Sequence, residues 1–502
     1  MKKIRMISLL LCMLMIMQSA VFSVPASAEE ADASSDPSET SIPEETYIPV
    51  EVPIITTGDA SVSNGCHTLD AAQPLGSSEQ LLDTAKAAIL YELNSKTLLY
   101  AWNPDEKLYP ASLAKIMTAL LVIESGDLSR SVTATESALS SVPYDAMSIS
   151  IKAGESFTME DLLYCILVAS ANDACAVAAE EISGSQEAFV KRMNERAQEL
   201  GCTNTNFANA GGLQDEQQYT TARDLGKILE AAMEYDSFRA AFGAGTYTVP
   251  ATSASEAREL ISNNYFISKA SGVVKFYDSK VTGGRSGAVS TTDRSLAVTA
   301  QSGDLQLMSI VLGAEGILEE DGYSLYKTGN FEETETLLAY GFNNFEVSQI
   351  LYEGRSVAQF PVENGENQVV GRPVDTVYSA LPAGTTAARL VWKYLQTEDS
   401  LSAPVGIGTK VGTVQVWYGT TCLAQSDMVT MNASKVAAQV QSSGNETGSE
   451  AEAGIALILK ILGVIFAVLI VLILVLIAVR LIRASVIRAR RRRRRRNRRR
   501  SR

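Results

Sequence analysis

The sequence has one histidine in 502 residues, His67, in a stretch rich in Ser, Asp and Gly. That scarcity excludes Ser-His-Asp and Cys-His catalysis from the folded body, and nearly all His-based metal sites with them. Cysteine is also sparse. The six, at 12, 66, 165, 175, 202 and 422, form no C-x-x-C. Cys12 lies in a segment expected to be removed, and the scattered remainder reads as buried or incidental thiols rather than a disulfide framework. With 14 Pro, 34 Gly, 46% hydrophobic and 20% charged residues, the chain is neither collagen-like nor wholly disordered. Its length suggests about two to four domains. Acid is absent from residues 480–502, which hold 14 arginines. All 57 Asp and Glu therefore lie in the body, whose acidity argues against a nucleic-acid partner.

The two ends indicate a compartment. Lys2, Lys3 and Arg5, the apolar run Met6–Met17 and Ala26-Ser27-Ala28 read as a secretory signal, residues 1–28. Ile461 to Val479 carries no charge; at about 1.5 Å per helical residue it reaches roughly 28 Å, close to a bilayer's hydrocarbon core. Residues 454–479 are predicted as one transmembrane helix, followed by the Arg-rich tail 480–502. Positive charge stays cytoplasmic, so the expected protein is a single-pass protein of the cell membrane with residues 29–453 extracellular. The tail is expected to meet anionic lipid.

Between the ends, 29–82 reads as a disordered spacer and 438–453 as a flexible stalk. Residues 87–103 predict a strand hairpin around Asn94-Ser95. Helical spacing follows Pro110 up to Gly126, and recurs over 159–183, 186–200, 221–233 and 334–342. Residues 295–301 and 305–314 read as strands. From about 346 to 437, short β runs with frequent Gly and Pro suggest a small all-β module.

A serine nucleophile without histidine needs another base, and a lysine serves if its amine is kept neutral. Ser-x-x-Lys at a helix start puts both groups on one face. It occurs twice, at Ser112–Lys115 and Ser324–Lys327. Ser112 opens a strongly apolar helix whose burial would depress the Lys115 pKa, whereas Ser324 sits in a polar loop. Ser170-Ala171-Asn172, ending an apolar run, is a second candidate, although alone it fits a helix cap. A third should be a basic residue, a hydroxyl and a glycine on a strand.

Together, PASLAKIMTALL, VASANDACAVAAE and FVKRMNERAQELGCTNTNFANAGGL…YTTARDLGKI resemble the low-molecular-weight penicillin-binding proteins, serine-type D-alanyl-D-alanine carboxypeptidases of peptidase family S11. The resemblance covers roughly 84–345. Through LYEGRSVAQFPV and APVGIGTKVGTVQVWYG it extends into that family's C-terminal β domain. It implies an α/β (α+β) penicillin-binding/β-lactamase-like catalytic domain, 83–345, with an antiparallel sheet and a helical cluster, then a small β domain, 346–437. The family's third motif, Lys-Thr-Gly, is altered. A literal copy at Lys327-Thr328-Gly329 lies where no sheet strand is expected. Arg285-Ser286-Gly287 is preferred, with Lys280-Val281-Thr282-Gly283 the alternative. The family commonly has a histidine where Gly211-Gly212-Leu213 stands.

The resemblance implies that Ser112 attacks the penultimate D-Ala carbonyl of a peptidoglycan stem peptide and Lys115 takes its proton. Ser170 relays a proton to the leaving D-Ala, and Asn172 orients the peptide amide. Arg285 and Ser286 grip the free carboxylate beside Gly287, and the N–H groups of Ser112 and Ala288 form the oxyanion hole. No cofactor or metal is implied; β-lactams would acylate Ser112. Rival readings are a class A-like β-lactamase using Glu216, and a peptidoglycan-binding sensor or scaffold. Endopeptidase action on cross-links is a weaker one.

Overall fold

The computed structural model describes residues 54–55 and 69–437, apart from 72, 291, 321–324 and 397–400. The predicted signal, stalk, transmembrane helix and Arg tail lie outside the described residues, as do His67 and Ser324. Among the described residues, no helix is long and apolar enough to cross a membrane.

The predicted hairpin is present as β1 (Ala87–Glu92) and β2 (Thr97–Trp102). It joins β3 (Val281–Ala288), β4 (Asp293–Ser302) and β5 (Leu305–Glu315) in a five-stranded sheet of order β2-β1-β5-β4-β3. All its pairings are antiparallel. Side chains alternate across a pleated strand, and β1 buries both sets. Ala87, Ile89 and Tyr91 face one apolar core, while Ala88 and Leu90 face the other.

The first core is filled by helices. The longer ones are α1 (Lys115–Glu124), α2 (Met159–Leu167), α3 (Asn172–Ser183), α4 (Gln186–Glu199) and α5 (Ala222–Met233). α1 is buried from Lys115 through Ile123, as its nearly unbroken apolar sequence requires. The continuous helix expected over 159–183 is instead two. Ser170 takes a left-handed φ of 60° between them, interrupting the helical hydrogen bonds where the Ser-x-Asn motif stands. Thr158 starts α2 with a reciprocal capping box to Asp161.

The second core lies under α6 (Asn330–Asn344), which is longer than the predicted 334–342. Phe331, Leu337 and Leu338 of α6 pack there with Leu90 and Leu307. From Phe345 onward the described regular structure is β, apart from a single turn at Ala387–Arg389. The second core continues without a break into Val411, Val414, Val416 and Met428 of these strands. The division expected at residue 345 is therefore not marked by a gap in the core. Ala380 N also donates to Ser95 Oγ of the β1–β2 turn, 3.2 Å.

Two expectations change. Leu69, Leu75 and Leu82 are buried, so residues 69–82 belong to the packed body and not to the spacer. Leu75 N and Gly76 N donate to β2 carbonyls, and these few apolar anchors carry no periodic signal. Cys422 is disulfide-bonded, not an incidental thiol. Spacing alone cannot reveal such a pair.

Candidate active site

Ser112 sits in a 3₁₀ turn, Ala111–Ala114, that leads into α1. In a 3₁₀ turn residues i and i+3 eclipse, which carries Ser112 and Lys115 to the same side. The preceding Ala111 has a φ of 48°. Gly212 (φ 78°) backs this bend; a Cβ there would fall 1.8 Å from the Ala111 carbonyl oxygen.

Lys115 is fully buried. Its Nζ donates to Asn172 Oδ1 (3.0 Å) and to the Gly211 carbonyl (2.5 Å). Burial drives the amine down to about 8; Cys175 opposes this, Arg285 adds to it and Asp173 opposes it. A neutral amine has two N–H bonds and one lone pair. Two carbonyl-type acceptors occupy both N–H groups and leave the lone pair available to a proton. Ser112 Oγ, half-buried, receives a hydrogen bond from Ser170 Oγ at 3.1 Å. The motif side chains thus form two contacts, Ser170–Ser112 and Lys115–Asn172.

β3 supplies the opposing edge. Arg285 pairs with Ala297, whose side chain belongs to the helical core, while Ser286 pairs with Leu296 of the second core. Arg285 and Gly287 therefore face the helices. A Cβ on Gly287 would lie 3.2 Å from Ser112 N, so the glycine lets the strand pass close to the nucleophile. Arg285 is 1% exposed, and its Nη1 donates to the Leu167 carbonyl at 2.9 Å. Its Nε and Nη2 are buried without a protein partner. Burial lowers its pKa to about 10, which leaves it cationic at neutral pH.

The joint Arg285–Ser286 grip is corrected by the pleat. Ser286 points to the opposite face, where Asn330 Nδ2 of α6 donates to its Oγ at 3.4 Å. Ala288 ends the strand and is exposed. The alternative cation, Lys280, lies over the Phe342 ring at 5.5 Å. Lys327 does end a short strand, Leu325–Lys327, contrary to expectation, but outside the central sheet, and it pairs with Asp83 at 3.2 Å. Glu216 is exposed.

Sequence reasoning missed three contributors. The Gly211 carbonyl accepts from Lys115, and the Met147 carbonyl accepts from Asn172 N (2.8 Å) and Nδ2 (2.9 Å). Main-chain acceptors leave no residue signature. Thr118, one turn beyond Lys115, ties α1 to the Ala210 carbonyl at 2.7 Å. Where the family commonly has a histidine, Gly211 lies close under Asn172, and a Cβ there would fall 2.1 Å from Asn172 Oδ1.

Residues 76–316 match the family profile of peptidase S11, D-alanyl-D-alanine carboxypeptidase. The chain is 31% identical over 352 residues to the D-alanyl-D-alanine carboxypeptidase DacF of Bacillus subtilis, covering 69% of this chain and 85% of that one. It is 30% identical over 359 residues to the D-alanyl-D-alanine carboxypeptidase DacC of Escherichia coli, covering 69% and 83%. Among solved structures it is similar to penicillin binding protein 5 from Haemophilus influenzae, with a TM-score of 0.57 and 26% identity over 72% of this chain and all of that one.

Proposed function

Because this chain belongs to the peptidase S11 family, we propose that it is a serine D-alanyl-D-alanine carboxypeptidase that trims peptidoglycan stem peptides and is acylated by β-lactams. One observation carries the reading: a fully buried lysine has both N–H groups bound to oxygens, and three residues before it Ser112 Oγ accepts from Ser170 Oγ.

Lys115 takes the Ser112 proton as Oγ bonds to the penultimate D-Ala carbonyl carbon. The amide C–N bond then breaks, and the leaving D-Ala receives a proton through Ser170. Water, with Lys115 again as base, hydrolyses the ester and restores Ser112. The N–H groups of Ser112 and Ala288 hold the oxyanion, each worth roughly 3–4 kcal/mol. Arg285 supplies the cation for the substrate's terminal carboxylate through N–H groups that lack a protein partner. Ser286 acts from behind the strand, bonded to Asn330. Asn172, already fixed between Lys115 and Met147, orients the peptide amide.

The test is labelling by fluorescent penicillin together with release of D-Ala from a muramyl pentapeptide. Ser112→Ala is expected to abolish both, and Arg285→Ala to weaken both at least tenfold, with Lys280→Ala near wild type. Labelling that survives Ser112→Ala ends the assignment, and a larger loss at Lys280 than at Arg285 reassigns the cation. Binding without D-Ala release would select a scaffold.

The catalytic part is placed outside the cell, anchored by residues 454–479 and the Arg tail, with 346–437 as a β module between catalytic part and stalk. The Cys422 disulfide supports this reading, since such bonds persist in oxidising compartments.

A further inference from the structure

Asp173 follows the Ser-x-Asn motif and is 3% exposed. Its carboxylate takes hydrogen bonds from residues 148–151 and from Ala174 N at 3.0 Å. Oδ2 accepts from Ser148 Oγ at 2.6 Å and from Ile151 N at 2.9 Å, and Oδ1 accepts from Ile149 N at 3.3 Å. One buried carboxylate thus ties down the polar side of a segment whose Ile149 and Ile151 pack against the helical core. Tyr144 in it is fully exposed and Met147 is 57% exposed. Ser150 in the same turn has a φ of 62°, a left-handed conformation that surrounding contacts must hold in place.

The segment delivers the Met147 carbonyl to Asn172. An amide side chain has two orientations, and the acceptor on its nitrogen side decides between them. With Met147 O holding Nδ2, Oδ1 faces Lys115. In the reversed orientation an NH₂ group would face the amine and compete for the lone pair that must receive the Ser112 proton.

We propose that Asp173 is a positioning residue for the acylation step: by clamping residues 148–151 it sets the Met147 carbonyl, which orients the Asn172 amide and keeps the Lys115 lone pair free. This rests on the carboxypeptidase reading, and extends it to a residue that touches neither substrate nor nucleophile.

The experiment measures the second-order acylation rate by fluorescent penicillin between pH 6 and 10, on the full chain, for wild type, Asp173→Ala and Asp173→Asn, with melting temperatures alongside. The charged and titratable neighbours that act on Lys115 are Cys175 and Asp173 of α3 and Arg285 of β3. Both variants remove a negative charge, so both should move the rate's midpoint to lower pH. The high-pH plateau, where the amine is neutral in every variant, isolates positioning. Asp173→Ala should lower it at least tenfold. Asp173→Asn keeps one oxygen for Ser148 and Ile151 and should recover it to within about threefold of wild type.

Plateaus at the wild-type value in both variants would overturn the proposal and leave Asp173 a purely structural residue, even if melting temperatures fell. If the alanine variant does not fold, the asparagine variant is compared with Ser148→Ala. Each is then expected to fall two- to threefold on the plateau, and wild-type rates in both would overturn the proposal. Failure of the underlying reading looks different, because wild type itself would then neither label nor release D-Ala.

Discussion

Lys115 concentrates the chemistry, and its behaviour with pH has a definite sign. Its ordinary value of 10.5 is lowered to about 8 by burial above all. Acylation should therefore rise as pH increases through about 8, following the neutral amine, and level off above it. A penicillin acylation profile that is flat from pH 6 to 9 would remove Lys115 from the role of base. The same shift links to stability. The unfolded chain binds this proton more readily, so the folded state is relatively strongest above about 10.5 and loses that contribution as pH falls through about 8. At this scale Ser112, Lys115, Ser170 and Asn172 were legible in the sequence, because side-chain chemistry is written in residue type. Gly211 O and Met147 O were not. Their importance comes from where a loop passes, and a carbonyl is common to every residue.

Elements decide which of the motif residues can act together. Arg285, Ser286 and Gly287 are consecutive, yet the pleat of β3 sends the arginine to the helices and the serine to Asn330 of α6. Sequence order could identify the strand but not which face met the nucleophile, since that depends on its register against β4. The break between α2 and α3 was likewise hidden, because the apolar spacing runs through it and only the backbone at Ser170 departs. Helix starts were clearer. Thr158 and Asp161 cap α2 reciprocally, with Thr158 Oγ1 accepting from Asp161 N at 3.0 Å. Thr158→Ala should cost about 1 kcal/mol, read as a lower denaturation midpoint with unchanged slope. α2 ends at Leu167, whose carbonyl holds Arg285. A destabilisation of that size that left Arg285-dependent labelling intact would show that the cap governs stability alone.

For the whole molecule, periodicity was enough to anticipate individual helices and strands and the β runs after 346, while the antiparallel sheet with its helical cluster came from the family resemblance. Neither revealed how the parts share their interior, because that requires long-range contacts between segments 249 to 285 residues apart, such as Asp83 and Thr84 with Glu333 or Ser95 with Ala380. The proposed topology yields a prediction at the same scale. Protease added to intact cells should remove the penicillin-labelled part while the Arg tail stays protected; full protection of the label would refute external placement.

The unbroken second core also bears on how the protein fails. Leu90 under the catalytic sheet and Met428 in the last long strand are fully buried members of one cluster. Heating should then give a single cooperative melt rather than two, and a cavity at Met428 would thin the population of intact clefts without touching any catalytic group.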